Sequence, residues 1–245
     1  MVESLMQRNR AVIAAGLFVV AGLAWLYIVR QAHAMGQMRA AAWSAADFSM
    51  TLLMWIVMMV AMMTPSVTPM VLAFAATSEK RRQESRPYVP ATVFLVGYLS
   101  VWAAFSLAAT AAQWALHSAA LLSPMMVSTS PYLGSSILLV AGIFQWTPLK
   151  KVCLVHCRSP LGFLLTHWRP GTSGAFLMGV SHGGYCTGCC WALMSLLFVA
   201  GVMNLLWVGI LCAFVLTEKI LPRGELVART VGGVLILTAI VILNL

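Results

Sequence analysis

Charged side chains are scarce along this chain: Asp, Glu, Lys and Arg make up 9% of its 245 residues, and only six of them are acidic. That is too little charge to clothe a water-soluble surface, so a soluble domain is excluded and an integral membrane protein is expected. A nucleotide-binding glycine loop, a nucleophile paired with a base and an acidic relay are all missing, which argues against an ATP-driven pump or a hydrolase. No low-complexity tract or repeat of roughly 20–50 residues interrupts the pattern. Residues 1–245 are therefore read as a single domain.

What is abundant is hydrocarbon. Hydrophobic residues make up 61% of the chain and the mean hydropathy is +0.92. Apolar runs long enough for a crossing fall at 11–29, 48–76, 88–114, 132–148, 174–200, 203–221 and 227–244. They do not alternate as barrel strands would, and a lipid-embedded backbone must satisfy its own amides. The predicted fold class is all-α, a polytopic transmembrane helical bundle of about seven spans. The fourth run is short, so six spans with a re-entrant or tilted segment there is the competing arrangement.

The 15 basic residues exceed the acidic ones by nine. Without a soluble surface this surplus reads as topology, not as affinity for nucleic acid. With a cytoplasmic N-terminus, Arg8, Arg10, Lys80, Arg81, Arg82, Arg86, Lys150, Lys151, Arg158, Arg169, Lys219, Arg223 and Arg229 share one side, leaving Arg30 and Arg39 outside. That asymmetry follows the positive-inside rule and, with seven spans, places the C-terminus outside. The first apolar run exceeds the roughly 7–15 residues of a signal-peptide core, so it reads as an uncleaved anchor despite Ala32-His33-Ala34.

Against this background "SHGGYCTGCC", residues 181–190, is unusual. On a helix turning about 100° per residue, His182, Cys186, Cys189 and Cys190 fall at about 0°, 40°, 340° and 80°, on one face. A helix entering near Gly174 carries His182 about 12 Å and Cys186 about 18 Å into a roughly 30 Å core. Thiolate and imidazole suit copper or zinc, and ionisable groups at such depth are costly. For Cys189 and Cys190 to share an ion the helix would have to distort, which Gly183, Gly184 and Gly188 would permit. The competing reading makes the cysteines small hydrophobes and Gly179, Gly183 and Gly184 a packing surface for a neighbouring helix.

Two further segments carry soft ligands. In "TPLKKVCLVHCRSP", residues 147–160, Cys153, His156 and Cys157 share a helix face at the cytoplasmic side, where thiols stay reduced; they read as a metal relay or cap, or else as part of an amphipathic helix with Lys150, Lys151 and Arg158 at lipid phosphates. In "MTLLMWIVMMVAMMTPSVTPM", residues 50–70, Met54, Met58 and Met62 recur every four residues. Thioethers select Cu(I), although methionine is equally an adaptable packing residue. Met58 and Met62 are taken as candidate ligands. Thr64-Pro65 and Thr68-Pro69 should kink or unwind this helix. Smaller expectations are Asp47 as a helix cap, a local ion pair of Glu218 with adjacent Lys219, and His33, Met35, Met38 and His117 as collectors of metal from outside.

The blocks "MWIVMMVAMMTPSVTPMVL", "TPLKKVCLVHCRSPLGFL", "GVSHGGYCTGCCWALMSLLFVAGVMNLLW" and "TEKILPRG" closely resemble a bacterial group known as predicted metal-binding integral membrane proteins, over roughly residues 45–240. The resemblance implies a multi-pass protein of the bacterial inner membrane that binds metal, with no reaction attached. Three readings follow. The first is copper handling, by transport or metallochaperone-type transfer, with copper the expected metal and zinc the alternative, and with lipid and a metal-donor or acceptor protein as partners. The second is a membrane metalloenzyme doing redox chemistry near Tyr185. The third is a structural subunit whose cysteines only pack.

Overall fold

The computed structural model describes residues 2–35, 44–85, 88–123 and 127–244, with side chains from 9 to 32 in the first of these stretches. Met38, Arg39 and Arg86 lie outside the described residues, and the side chains of Arg8, His33 and Met35 lie outside them too. Ten helical segments follow in order: α1 (Val2–Met35), α2 (Ala45–Gln83), α3 (Ala91–Ser118), α4 (Pro131–Phe144), α5 (Pro148–Arg158), α6 (Pro160–His167), α7 (Gly171–Ser195), the single turn α8 (Leu197–Ala200), α9 (Leu205–Ile220) and α10 (Gly224–Leu243). Among the described residues there is no strand, only an isolated bridge between Leu122 and Ser128.

Local chemistry sets the helix starts. Ser44 and Asp47 form a reciprocal capping box at α2, so Asp47 is the third helical residue of the box and Ser44 is the cap. Proline occupies the first position of α4, α5 and α6, where no backbone donor is needed. Pro65 and Pro69 do not unwind α2, which is helical without interruption from 45 to 83. There Thr64 and Thr68 donate to the carbonyls of Val60 and Thr64, at 2.6 and 2.9 Å, keeping their hydroxyls inside the helix's own hydrogen bonding.

Among the described residues, five stretches are long and apolar enough to cross a membrane: Asn9–Ala32, Ala45–Gln83, Ala91–Ser118, Gly171–Ala200 and Gly224–Leu243. The fourth apolar run is broken, with α4 and α5 meeting at 64°. Counted as one span, that pair makes six. The run at 203–221 yields α9, whose 16 residues reach about 24 Å, short of a roughly 30 Å core.

Glycine contact brings α3 and α7 together. A Cβ on Gly179 would stand 2.0 Å from the Phe94 carbonyl oxygen, and one on Gly97 would stand 2.2 Å from that of Phe176. Gly183 also meets α3, while Gly184 faces open space and serves no neighbour. The α3–α7 pair is the floor on which the cysteines are displayed.

Candidate metal site

Three helices meet at one sulfur, and a fourth reaches it through Lys219. Cys186, fully buried near the middle of α7, has its Sγ 3.0 Å from the Lys219 ammonium of α9 and 3.1 Å from the Tyr98 hydroxyl of α3. Lys219 also donates to Ser66 Oγ of α2 at 3.1 Å. Ser66 in turn donates to the Met63 carbonyl at 3.0 Å, with Met63 Sδ 4.0 Å away.

The other thiols gather around this point. Cys189 and Cys190 both donate to the Cys186 carbonyl, at 3.0 and 2.9 Å, which turns the two sulfurs to the same side of α7. Cys190 lies beside the thiols of Cys186 and Cys189, and Cys157 arrives from α5 beside the same two. The helix α7 runs unbroken from 171 to 195, without the distortion expected for Cys189 and Cys190 to share an ion. Gly188 has a different use: a side chain there would stand 2.9 Å from Cys153 Sγ, so its absence lets α5 close on α7. All six cysteines are reduced and buried.

His182 stands one turn before Cys186, with its ring centre 5.2 Å from Phe163, 5.9 Å from Tyr98 and 6.0 Å from Phe94. It is 1% exposed, and among the described residues its Nδ1 has no hydrogen-bond partner. A polar atom buried this way costs about 1–3 kcal/mol unless something binds it. His156 does not join the thiols. Its half-exposed ring stacks on Tyr185, 4.2 Å between centres and 6° between planes. Met58 and Met62 are fully buried in α2, and the Met62 carbonyl accepts from Cys212 Sγ at 3.6 Å. The sulfurs are neighbours without being a finished cage: among the described residues no three His, Cys, Asp or Glu side chains surround a common point as metal ligands would.

Two charge assignments change. Glu218 does not pair with its neighbour Lys219; it takes Lys150 of α5 at 2.6 Å, both side chains being 2% exposed. Lys150, read from sequence as a headgroup anchor, is instead buried and also donates to Gln145. Consecutive residues on a helix point about 100° apart, which sends Glu218 toward α5 and Lys219 toward α7. Lys219, Tyr98 and Ser66 escaped the sequence reading. The one signal for Lys219 is its seven-residue spacing from Cys212, which puts the two on one face of α9.

With this geometry in place, similarity to known proteins becomes informative. The model of the PpoB2 copper chaperone family matches residues 52–242, which runs from within α2 to within α10 and takes in every cysteine. The chain belongs to the PpoB2 copper chaperone family. No curated protein and no solved structure matches it. Membership supports a copper-related role, in keeping with the soft-ligand chemistry of the thiols and thioethers.

Proposed function

We propose that this PpoB2-family protein is a membrane-embedded copper chaperone that carries Cu(I) on the thiols of Cys157, Cys186, Cys189 and Cys190 and passes it to an acceptor protein. The observation that carries the reading is the convergence of four reduced thiols from α5 and α7, beside a buried His182 whose Nδ1 lacks a partner. Cu(I) prefers few, soft ligands, so two or three of these sulfurs suffice and the others serve exchange. The thiols lie beside one another, so loading brings neighbouring sulfurs onto one ion with loss of their protons. Cys153, one turn from Cys157, is the natural next sulfur along α5.

The second part of the proposal is a path. Met58, Met62 and Ser66 recur every four residues on one face of α2, about 6 Å apart. Ser66 ends that row at Lys219, which touches Cys186. Met58 and Met62 thus supply thioether stepping points toward the thiols. The third part is topology: a cytoplasmic N-terminus and seven crossings in a bacterial inner membrane, with α4 and α9 as short crossings completed by their flanking turns. On this reading Cys186, Cys189 and Cys190 lie within the membrane, and Cys153, His156 and Cys157 reach them from the cytoplasmic side.

Copper content of the purified protein tests the reading. Wild-type protein loaded under reducing conditions should keep about one Cu(I) per chain against a moderate chelator, and Cys186→Ser/Cys189→Ser should lose it. Equal retention by the double variant would refute the thiol site.

A further inference from the structure

Outside the thiol group, two imidazoles meet on the partly exposed side of α5 and α6. The ring centres of His156 and His167 are 5.9 Å apart, with the planes at 84°. His156 stacks on Tyr185, and His167 stacks on Phe163 at 4.6 Å. Both histidines are half-buried, so each ring is fixed by packing and still reachable.

Their hydrogen bonds fix which nitrogen is free. His156 Nδ1 lies 2.9 Å from the Val152 carbonyl oxygen, which only accepts, so Nδ1 carries the hydrogen. His167 Nδ1 lies 2.8 Å from Thr166 Oγ1, and that hydroxyl spends its single hydrogen on the Gly162 carbonyl at 2.9 Å. With the hydroxyl hydrogen so placed, His167 Nδ1 donates to Thr166 Oγ1 as well. Both rings therefore keep a lone pair on Nε2, in the manner of metal-binding histidines whose other nitrogen is tied to an oxygen. An ion about 2.0 Å from Nε2 stands about 3 Å from that ring's centre, so two rings sharing one ion have centres about 5–6 Å apart. The observed separation fits.

From this geometry we infer that His156 and His167 form a two-imidazole copper docking site at the mouth of the thiol cluster, where copper is held before it enters or after it leaves. This rests on the chaperone reading above. Two connections run inward. His156 precedes Cys157 in α5, and Phe163 lies against both His167 and His182, at 4.6 and 5.2 Å. Borderline imidazole ligands hold copper less tightly than thiolates, which is what a docking point needs, because the ion must leave it. His167 is the new member, since sequence spacing pairs His156 with Cys153 and Cys157 instead.

The test uses two measurements. First, Cu(II) is added to the full chain carrying Cys153→Ser, Cys157→Ser, Cys186→Ser, Cys189→Ser and Cys190→Ser, so that nearby thiols cannot reduce it. Paramagnetic resonance should show coupling to two imidazole nitrogens, lost in His156→Gln and in His167→Gln; a signal that survives both changes, or no such signal in a folded protein, overturns the site. Second, with every cysteine in place, Cu(I)–glutathione is the donor and thiolate–copper ultraviolet absorption follows loading. His156→Gln/His167→Gln should load on the order of tenfold more slowly and reach the same copper per chain. An unchanged rate overturns docking, and a lower final stoichiometry makes these histidines ligands of the thiol site instead. If the serine variant fails to fold, the loading rates decide alone. If wild-type thiols hold no Cu(I), the chaperone reading fails while the Cu(II) signal still reports on the imidazole pair.

Discussion

The ammonium of Lys219 lies 3.0 Å from the sulfur of Cys186, although the two residues belong to different helices and stand 33 positions apart. Two thiolates holding one Cu(I) carry a net charge of −1, and burying an uncompensated charge is expensive. An ammonium already at the sulfur supplies the balancing charge. Lys219→Met should weaken Cu(I) binding by about tenfold or more, about 1.4 kcal/mol, and Lys219→Arg should restore part of it. Competition against a chromophoric Cu(I) chelator measures this. Equal affinity in the methionine variant would remove Lys219 from the site.

The Lys150–Glu218 pair is a separate matter of stability. Both side chains are 2% exposed, and they tie α5 to α9. Glu218→Gln leaves an ammonium buried without its counter-charge and should cost about 3–5 kcal/mol, while Lys150→Met/Glu218→Leu should recover most of it. Thermal unfolding in detergent, followed by circular dichroism, reads the difference. A double variant no better than the single one would show that the pair, and not the stranded charge, holds the helices.

Packing of α3 on α7 offers a sharp contrast within one motif. Gly179→Ala places a methyl 2.0 Å from the Phe94 carbonyl oxygen, a backbone atom that cannot step aside, so the helices must separate. A loss of about 1–3 kcal/mol and a fall in copper retention are expected, because Tyr98 on α3 moves away from Cys186. Gly184→Ala, which meets nothing within 4 Å, should stay within about 0.5 kcal/mol of wild type. Equal stability of the two variants would mean that the close contact is not maintained in the folded protein.

How much of this was legible in the sequence depends on whether a feature is local. The α7 face was, because His182, Cys186, Cys189 and Cys190 lie within nine residues and a helix fixes their directions. So was the all-helical architecture, since hydropathy sets it. What α5 does was less legible: Cys153, His156 and Cys157 share a face by spacing, yet Cys157 goes to the thiols and His156 to Tyr185, because α5 bends 64° away from α4 and docks along α7. Lys219 and Tyr98 were hidden, since their roles arise from contacts between helices distant in sequence. A lysine at the end of an apolar run looks like a lipid anchor until its partner helix is known. The expected pairing of Glu218 with Lys219 failed for the same reason.

The methionine row of α2 separates a path from a binding site. Met58 and Met62 are fully buried, and leucine matches methionine closely in volume, so Met58→Leu/Met62→Leu should cost less than about 1.5 kcal/mol of stability. The thiols do not change, so Cu(I) affinity at equilibrium should match wild type. Leucine deletes only the thioether, and with it the intermediate ligands between the far end of α2 and Ser66. In sealed vesicles containing the loaded protein, exchange of radioactive copper with a chelator offered on the Met54 side should slow severalfold, while exchange from the His156 side keeps its rate. Equal exchange from both sides would assign the row to packing. A drop in equilibrium affinity would instead bring Met58 or Met62 into the copper site itself.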